Sequence, residues 1–166
     1  MHGCNTDGIG LVKDIERLGF SLSNKRVLLL GAGGAAKGVV LPLLEAGTAH
    51  LRILNRTASK ADDLIAQIQA AAPTQSAHLE SGSLADIDGQ WDIVINATST
   101  GLQQTSPIIH PIHYAAHSLA YDMVYGATPT PFLIQAQDQG ASRCADGLGM
   151  LVEQAAQSFY IWHGVE

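Results

Sequence analysis

The stretch LLLGAGGAAKG, residues 28–38, decides the fold class of this chain. It continues a short apolar run, RVLLL at 26–30, of the kind that forms a buried strand in a parallel sheet. Glycines follow at once, and beyond Gly34 the apolar residues between Val39 and Leu44 recur at helical spacing. The sequence therefore predicts a strand, a glycine turn and a helix in direct succession, which is how a doubly wound α/β fold begins.

The same alternation continues through the rest of the chain. Further strands are predicted at 50–54, 91–95, 119–123 and 142–145, with a weaker one at 76–80, and helices at 58–72, 130–139 and 147–163. Strands that alternate with helices imply right-handed crossovers and a mostly parallel sheet that is covered on both faces. We therefore expect a doubly wound, Rossmann-like α/β fold.

The spacing of the glycines indicates a phosphate-binding turn. Gly31, Gly33 and Ala36 fit the pattern G-x-G-x-x-G/A between a strand and a helix. In this pattern the first glycine permits a tight turn, the second lets the backbone approach a pyrophosphate, and the third position permits close packing of the helix on the sheet. Free N–H groups at the helix N-terminus receive the negative charge. The pattern predicts a dinucleotide site; its alternative is a glycine-rich turn that only joins two elements.

The segment NRTASK, residues 55–60, indicates which dinucleotide is bound. A pocket for NAD would present Asp or Glu at the end of the second strand, and no carboxylate occurs there. Arg56 can pair with a 2′-phosphate through two N–H groups of its planar guanidinium, and Lys60 adds a positive charge. Neutral hydrogen bonds can come from Asn55, Thr57 and Ser59. The segment favours NADP over NAD; the alternative is that Arg56 and Lys60 are solvated surface charges.

The composition limits the classes of partner. The chain has 166 residues, of which 46% are hydrophobic and 14% charged, with a formal net charge of −6. These values indicate one globular domain without the basic surface that nucleic acid or an anionic membrane requires. No apolar run approaches the roughly 20 residues of a membrane helix, and the first residues lack the pattern of a signal peptide. We expect a cytoplasmic protein with a small-molecule partner.

Neither the cysteines nor the histidines predict a metal site. Cys4 and Cys144 are far apart in the sequence and form no CxxC pair, so we expect both to be reduced and structural. The run HPIHYAAH, residues 110–117, spaces three histidines like metal ligands. Pro107 and Pro111 would disturb any helix that aligned them, so no metal is expected.

The first twenty residues do not fit a fold that begins with a strand. The segment DGIGLVKDIERLGF, residues 7–20, places Ile9, Val12, Ile15 and Leu18 on one helical stripe ahead of the first predicted strand. The stripe predicts a helix at the start of the chain, and a dinucleotide-binding fold alone gives no reason for a helix there.

Seven motifs, taken in order, resemble one known family. They are NTDG at 5–8, GAGGAAKG at 31–38, NRTASK at 55–60, NATSTG at 96–101, YDMVY at 121–125, TPFL at 130–133 and ADGLGMLVEQAA at 145–156. Each motif alone is weak. Together they are similar to the cofactor-binding part of the shikimate dehydrogenase family, and the resemblance covers nearly the whole chain.

The resemblance implies an NADP-dependent oxidoreductase that interconverts 3-dehydroshikimate and shikimate in aromatic amino-acid biosynthesis. Family enzymes join an N-terminal domain, which carries most substrate-binding groups and a catalytic lysine, to a Rossmann-like NADP-binding domain. Asp7 matches the family's catalytic aspartate, which works beside that lysine at the substrate, and Tyr125 and Gln154 are implied to reach toward the substrate. The residues implied for NADP binding are Gly31, Ala32, Gly33, Gly34, Ala35, Asn55, Arg56, Thr57, Ala58, Ser59, Lys60, Met123 and Gly147.

By the same resemblance, NTDG belongs at the junction between the two domains. We expect residues 1–20 to be a hinge helix segment and residues 21–166 to be the Rossmann-like NADP-binding domain. The family's N-terminal domain is not in this sequence, and none of the chain's own lysines is well placed to replace the catalytic one. The expectation is an isolated cofactor domain that is inactive alone.

Each implied role has a simpler structural alternative. Asp7 could serve only as a helix N-cap, or as both cap and catalytic group, and Asn5 or Thr6 could be the cap instead. Met123 and Tyr125 could be packing residues, Gln154 a satisfied core amide, and NATSTG at 96–101 only a loop. For the whole chain, the alternatives are a quinate dehydrogenase paralogue and a free-standing NADP-binding module without turnover.

Overall fold

Among residues 5–73, 78–98 and 110–164, which the computed structural model describes, six parallel strands form one sheet. The strands are β1 (Arg26–Leu30), β2 (His50–Asn55), β3 (His78–Ser83), β4 (Gln90–Asn96), β5 (His113–Asp122) and β6 (Arg143–Ala145). They lie in the order β3-β2-β1-β4-β5-β6, and every neighbouring pair is parallel. The predicted doubly wound α/β fold is confirmed.

Helices cover both faces of this sheet. They are α1 (Asp7–Arg17), α2 (Gly34–Glu45), α3 (Ala58–Ala71), α4 (Pro131–Asp138) and α5 (Leu148–His163), with a short 3₁₀ turn at Leu84–Asp86. Side chains alternate along β1, so that Val27 and Leu29 pack with residues of α1, α2, α3 and α5, whereas Leu28 and Leu30 pack with α4. No helix in the described ranges is both long and apolar enough to cross a membrane.

The strand bounds differ from prediction at two places. β5 begins at His113, whereas the sequence predicted a strand only at 119–123. The first half of β5 gave no strand signal because only the second half, from Ser118, is buried. Its pairing with β4 also shifts register between Trp91 and Ile93, so the first half carries no regular hydrophobic pattern. β3 lies at the edge of the sheet and is only half-buried, which explains why its sequence signal is weak.

Helix α1 is present as predicted, but its buried face is not the predicted stripe. Of the four stripe residues only Ile15 is fully buried, and the buried face also includes Leu11 and Asp14. The helix packs between α2 and α5. A side chain at Gly8 would overlap α2, and one at Gly10 would overlap α5. Helix α1 therefore contacts α2 and α5 closely at its glycines. A search for hydrophobic periodicity does not detect glycine contacts.

A buried carboxylate fastens α1 to the sheet. Asp14 is 1% exposed, and its Oδ2 accepts a hydrogen bond of 2.6 Å from the Tyr121 hydroxyl on β5. The Arg17 guanidinium donates to the other oxygen from Nε at 2.9 Å and from Nη2 at 2.6 Å. Burial, together with the Asp14 carboxylate, raises the pKa of Tyr121 far above its usual value. The phenol therefore stays protonated and donates at all physiological pH values.

Replacing Tyr121 by phenylalanine should destabilise the fold without changing its volume appreciably. The buried Asp14 carboxylate would lose one donor, and a hydrogen bond to a charged group contributes about 1.5–3 kcal/mol. Urea denaturation should show a loss of that size in the free energy of unfolding. Tyr160→Phe, which removes a hydroxyl from a half-exposed side chain on α5, is the control and should change stability little. Equal stability of the two variants would contradict the role given to the Asp14 contact.

Candidate functional site

The carboxyl ends of the central strands meet at one edge of the sheet. Leu30, the last residue of β1, pairs with Leu54 on β2 and with Asn96 on β4, and Asn96 pairs with Asp122 on β5. The strand order reverses between β1 and β4. In doubly wound sheets ligands bind outside the carboxyl ends of the strands at this reversal. The loops that follow these strands hold most of the predicted site residues.

The first of these loops is the glycine turn after β1. Gly31 has a φ of 103°, in the left-handed region that favours glycine, and its N–H donates to the Leu54 carbonyl at 2.7 Å. A Cβ at Gly31 would lie 3.1 Å from the Ala97 carbonyl oxygen and 3.2 Å from Thr98. The glycine therefore permits both the turn and the close approach of the loop after β4.

At position 33, neither the backbone conformation nor a close contact within the protein requires glycine. Its φ is −84°, which any residue adopts, and a Cβ built on it would meet no atom within 4 Å. The next residue, Gly34, begins α2 and is equally open. The first N–H groups of a helix have no partner within the helix. The space over this backbone is therefore open to a ligand that accepts hydrogen bonds and carries negative charge.

Asn55, the last residue of β2, connects the two predicted cofactor loops. Its Oδ1 accepts a hydrogen bond from the Ala32 N–H at 3.2 Å, and its Nδ2 donates to the Thr57 carbonyl at 2.9 Å. Both ends of the amide are used within the protein. Asn55 thus holds the glycine turn and the start of α3 in register, a role that the sequence did not reveal.

The cationic residues of the second loop are free to contact a ligand. Arg56 and Lys60 flank the N-terminus of α3 and are exposed, as are Thr57 and Ser59, while Ala58 is half-buried. Within the described part of the chain neither cation forms an ion pair. Their charges lie at a helix N-terminus, which itself favours an anion. The arrangement fits a phosphate group.

A buried polar network joins the ends of β4, β5 and α4. The Asp122 carboxylate accepts hydrogen bonds from Asn96 Nδ2 at 3.1 Å, from the Val124 N–H at 3.1 Å and from the Thr130 hydroxyl at 2.5 Å. Burial raises the pKa of Asp122, and these donors oppose the rise. Thr130 in turn caps α4. The network holds the ends of β4 and β5 against the start of α4, and neither Asp122 nor Thr130 was assigned a role from the sequence.

The network also extends to the loop after β4. Asn96 Oδ1 accepts hydrogen bonds from the N–H and the hydroxyl of Thr98, at 3.1 and 2.7 Å. The first half of the NATSTG motif is therefore a structured turn that touches the glycine loop. Its second half, 99–101, lies outside the described residues.

Gly147 lies directly against the backbone of Met123 and Val124. A Cβ at Gly147 would overlap the Met123 carbonyl group, and the Gly147 N–H donates to the Val124 carbonyl at 3.3 Å. Met123 is half-buried at the end of β5, and the Tyr125 side chain is 51% exposed beyond it. Met123 and Tyr125 follow the carboxyl end of β5, and Gly147 follows that of β6.

The N-terminal motif lies beside the glycine helix. A Cβ at Gly38 on α2 would lie 2.7 Å from Asn5 Nδ2 and 3.8 Å from Asp7 Oδ2. The N-cap of α1 is Thr6, and its side chain makes no capping hydrogen bond, so Asp7 is not the N-cap. The Thr6 hydroxyl instead donates to Gln154 Oε1 on α5 at 3.1 Å. Asp7 and Gln154 are thereby placed at the same end of the molecule, connected through Thr6.

The remaining candidates do not converge on this site. His113 and His117 lie on strand β5, and the Phe20 ring stacks on His117 with centroids 4.9 Å apart. Cys144 is a half-buried free thiol whose pKa is raised by burial, and Cys4 lies outside the described residues. A cleft of about 820 Å³ opens beside β6 and is lined by none of the predicted site residues.

Comparisons with known proteins agree with the motifs. Residues 12–117 match the family described as Shikimate / quinate 5-dehydrogenase, and residues 147–166 match the Shikimate 5'-dehydrogenase C-terminal domain. The chain is 53% identical over 165 residues to the shikimate dehydrogenase (NADP(+)) of Bordetella avium (strain 197N), a match that covers 99% of this chain and 58% of that protein. The chain thus spans about 58% of the length of this curated relative.

Solved structures show the same likeness. An Ael1 enzyme from Pseudomonas putida is 45% identical with a TM-score of 0.83, over 97% of this chain and 58% of that one. Shikimate 5-dehydrogenase from Thermus thermophilus, solved in complex with NADP(H) and shikimate, is 31% identical with a TM-score of 0.78, over 98% of this chain and 58% of that one.

Proposed function

Because this chain belongs to the shikimate / quinate 5-dehydrogenase family, we propose that it supplies the NADP-binding part of a shikimate dehydrogenase. The reaction is the reversible reduction of 3-dehydroshikimate to shikimate with NADPH. The observation that carries the proposal is the open backbone at Gly33 and Gly34, which lies at the N-terminus of α2 beside the strand-order reversal. This is the geometry that a dinucleotide pyrophosphate requires.

Two loops hold the cofactor in this proposal. The glycine turn at 31–35 accepts the pyrophosphate, since no side chain at Gly33 blocks the approach to its backbone. Arg56 and Lys60 pair with the 2′-phosphate of NADP, supported by the N-terminus of α3. Asn55 keeps the two loops at a fixed separation through its hydrogen bonds to both. When bound, the cofactor supplies the hydride.

The chain's other site residues act around the reacting atoms. Met123 and Gly147 support the nicotinamide side of the crevice, because their backbones are in direct contact there. Tyr125 and Gln154 extend toward the substrate, and Thr6 fixes the Gln154 amide. Asp7 acts beside the family's catalytic lysine, where a carboxylate holds the lysine charged and takes part in proton transfer.

Removing the Arg56 guanidinium should reduce the preference for NADP over NAD. A charge-assisted hydrogen bond contributes about 1.5–3 kcal/mol, so the chain should bind NADP at least about tenfold more tightly than NAD. Arg56→Ala should weaken NADP binding by a similar factor and leave NAD binding nearly unchanged. Calorimetric titration of both nucleotides measures this difference.

The matched control is Lys13→Ala, which removes a cation from the exposed side of α1. It should leave the ratio of the two affinities unchanged. Equal affinities of the unaltered chain for NADP and NAD would refute the assignment of the 2′-phosphate site.

The family name also includes quinate, so substrate choice needs its own measurement. Rates with shikimate and quinate, compared in the whole protein that contains this chain, separate the two substrates. A higher kcat/KM with shikimate supports the proposal, and a higher value with quinate would assign the chain to a quinate dehydrogenase.

A further inference from the structure

A cluster of potential metal ligands lies at the opposite end of the sheet from the crevice. His50 and His78 begin β2 and β3 and are directly paired in the parallel register. Glu80 follows His78 by two residues along β3. Because side chains two residues apart in a strand lie on the same face, all three groups project from one face of the sheet edge. His50 is distant in sequence from the other two, so residue spacing along the chain does not indicate this cluster.

The distances in this cluster fit coordination of one ion. Glu80 Oε2 lies 3.1 Å from His50 Nε2, and Glu80 Oε1 lies 2.8 Å from His78 Nε2. All three ligand atoms lie within 4.8 Å of one another. Tetrahedral zinc with bonds of about 2.0–2.1 Å separates its ligand atoms by about 3.3 Å, so small side-chain rotations would close the site.

One of these ligand atoms has no satisfied hydrogen bond. His50 Nε2 is buried and makes no well-aligned hydrogen bond in the described structure, although a Glu80 oxygen lies close to it. The Trp91 ring packs against His50 with centroids 5.3 Å apart and holds the imidazole in place. The contact with Glu80 Oε2 at 3.1 Å thus leaves this buried nitrogen without an aligned hydrogen bond, and a bound cation would satisfy both atoms.

The protonation states also suit a cation. Burial lowers the pKa of His50, so its imidazole is neutral at pH 7 and has a free electron pair. The hydrogen bond from His78 lowers the pKa of Glu80 and keeps it ionised. Two imidazoles and one carboxylate are a common ligand set of zinc sites with an open fourth position.

Neighbouring charges moderate the affinity. Arg52 Nε lies 3.7 Å from Glu80 Oε2, and the same guanidinium pairs with Asp88. Arg26 also lowers the pKa of His50, and its guanidinium stacks over Trp91 at 5.0 Å. These two cations oppose a divalent ion, so the affinity should be weaker than that of a closed structural zinc site.

We propose that His50, His78 and Glu80 form a zinc-binding site that clips β2 to β3 at the amino ends of the strands. Bound zinc stabilises the edge of the sheet, because an ion that binds only the folded state raises stability by mass action. The site is independent of the cofactor crevice and of the function proposed above.

Titration of the metal-free chain with zinc chloride tests this site. Calorimetry at pH 7.5 should show one saturable equivalent, and zinc should raise the melting temperature. Cobalt(II) should give the visible absorption of a low-symmetry, tetrahedral-type site. His78→Ala, at a side chain that is 67% exposed, should weaken zinc binding by at least about 10–100-fold, the range seen even for outer-shell losses. Glu80→Gln should have a similar effect.

His113→Ala removes an exposed histidine from β5 and is the matched control, which should bind zinc like the unaltered chain. Zinc affinity should also fall in acid, because protons compete with the metal for its ligands. No saturable binding by the unaltered chain, or equal affinities of the His78 and His113 variants, would overturn the proposal.

Discussion

Replacing Gly33 by valine should lower the affinity of the chain for NADP by at least about 100-fold while the domain stays folded. The structure places no atom within 4 Å of a Cβ at this position, and its φ of −84° suits any residue. The branched side chain would instead occupy the space proposed for the pyrophosphate. Loss of two hydrogen bonds to a charged group, at about 1.5–3 kcal/mol each, corresponds to at least that factor.

Circular dichroism and a nucleotide titration measure the two parts of this result separately. Ala71→Val places the same isopropyl side chain at the exposed end of α3, away from the crevice, and should change neither the fold nor NADP binding. Gly33→Ala, which adds one methyl group, keeps the test informative if valine weakens the start of α2. Undiminished NADP binding by a folded Gly33→Val variant would show that the phosphate lies elsewhere.

Gly31 provides the contrast within the same motif. Its φ of 103° and the 3.1 Å approach of the Ala97 carbonyl mean that a side chain there would strain the turn itself. A Gly31 variant should therefore lose stability, whereas a Gly33 variant should lose only the ligand. The sequence pattern assigned the tight turn to Gly31, which its φ bears out, whereas the phosphate contact at Gly33 stays a prediction.

Local patterns were sufficient for the elements of the fold. The apolar run before Gly31 predicted β1, and the helical spacing after it predicted α2. Both predictions succeeded because the apolar residues of these elements are the buried ones. Helix α1 shows where this reasoning fails. Its orientation depends on Gly8, Gly10 and the buried Asp14, and none of these contributes to a hydrophobic stripe.

The site was only partly predictable because its contacts join distant segments. The hydrogen bond from Thr6 to Gln154 spans 148 positions, and the one from Asn96 to Asp122 spans 26. Asn55 illustrates the same limit: the sequence suggested a phosphate contact, whereas its amide bonds to Ala32 and Thr57. Residue type and order indicate which chemistry is available, but only the fold shows which polar atoms are already used.

Replacing Asp7 by asparagine should reduce shikimate oxidation by about 100-fold to 10,000-fold, the contribution typical of a group that acts in proton transfer. Under the proposed function the reaction should also require the part of the relatives that this chain does not match, where the resemblance implies the catalytic lysine. We therefore expect the chain alone to bind NADP without turnover, and turnover to appear when the N-terminal part of the Bordetella avium relative is added. NADPH formation is followed by its absorbance.

This result separates a catalytic Asp7 from a structural one. Thr6, not Asp7, is the N-cap of α1, so loss of the Asp7 charge should cost only the helix-dipole interaction, about 0.3–1 kcal/mol. A purely structural Asp7 would therefore lower the melting temperature slightly and leave kcat nearly intact, whereas a catalytic Asp7 lowers kcat and preserves NADP affinity. Asp63→Asn, at an exposed carboxylate on α3, is the matched control. Shikimate oxidation by the chain alone would show that a catalytic group within these residues replaces the family's lysine.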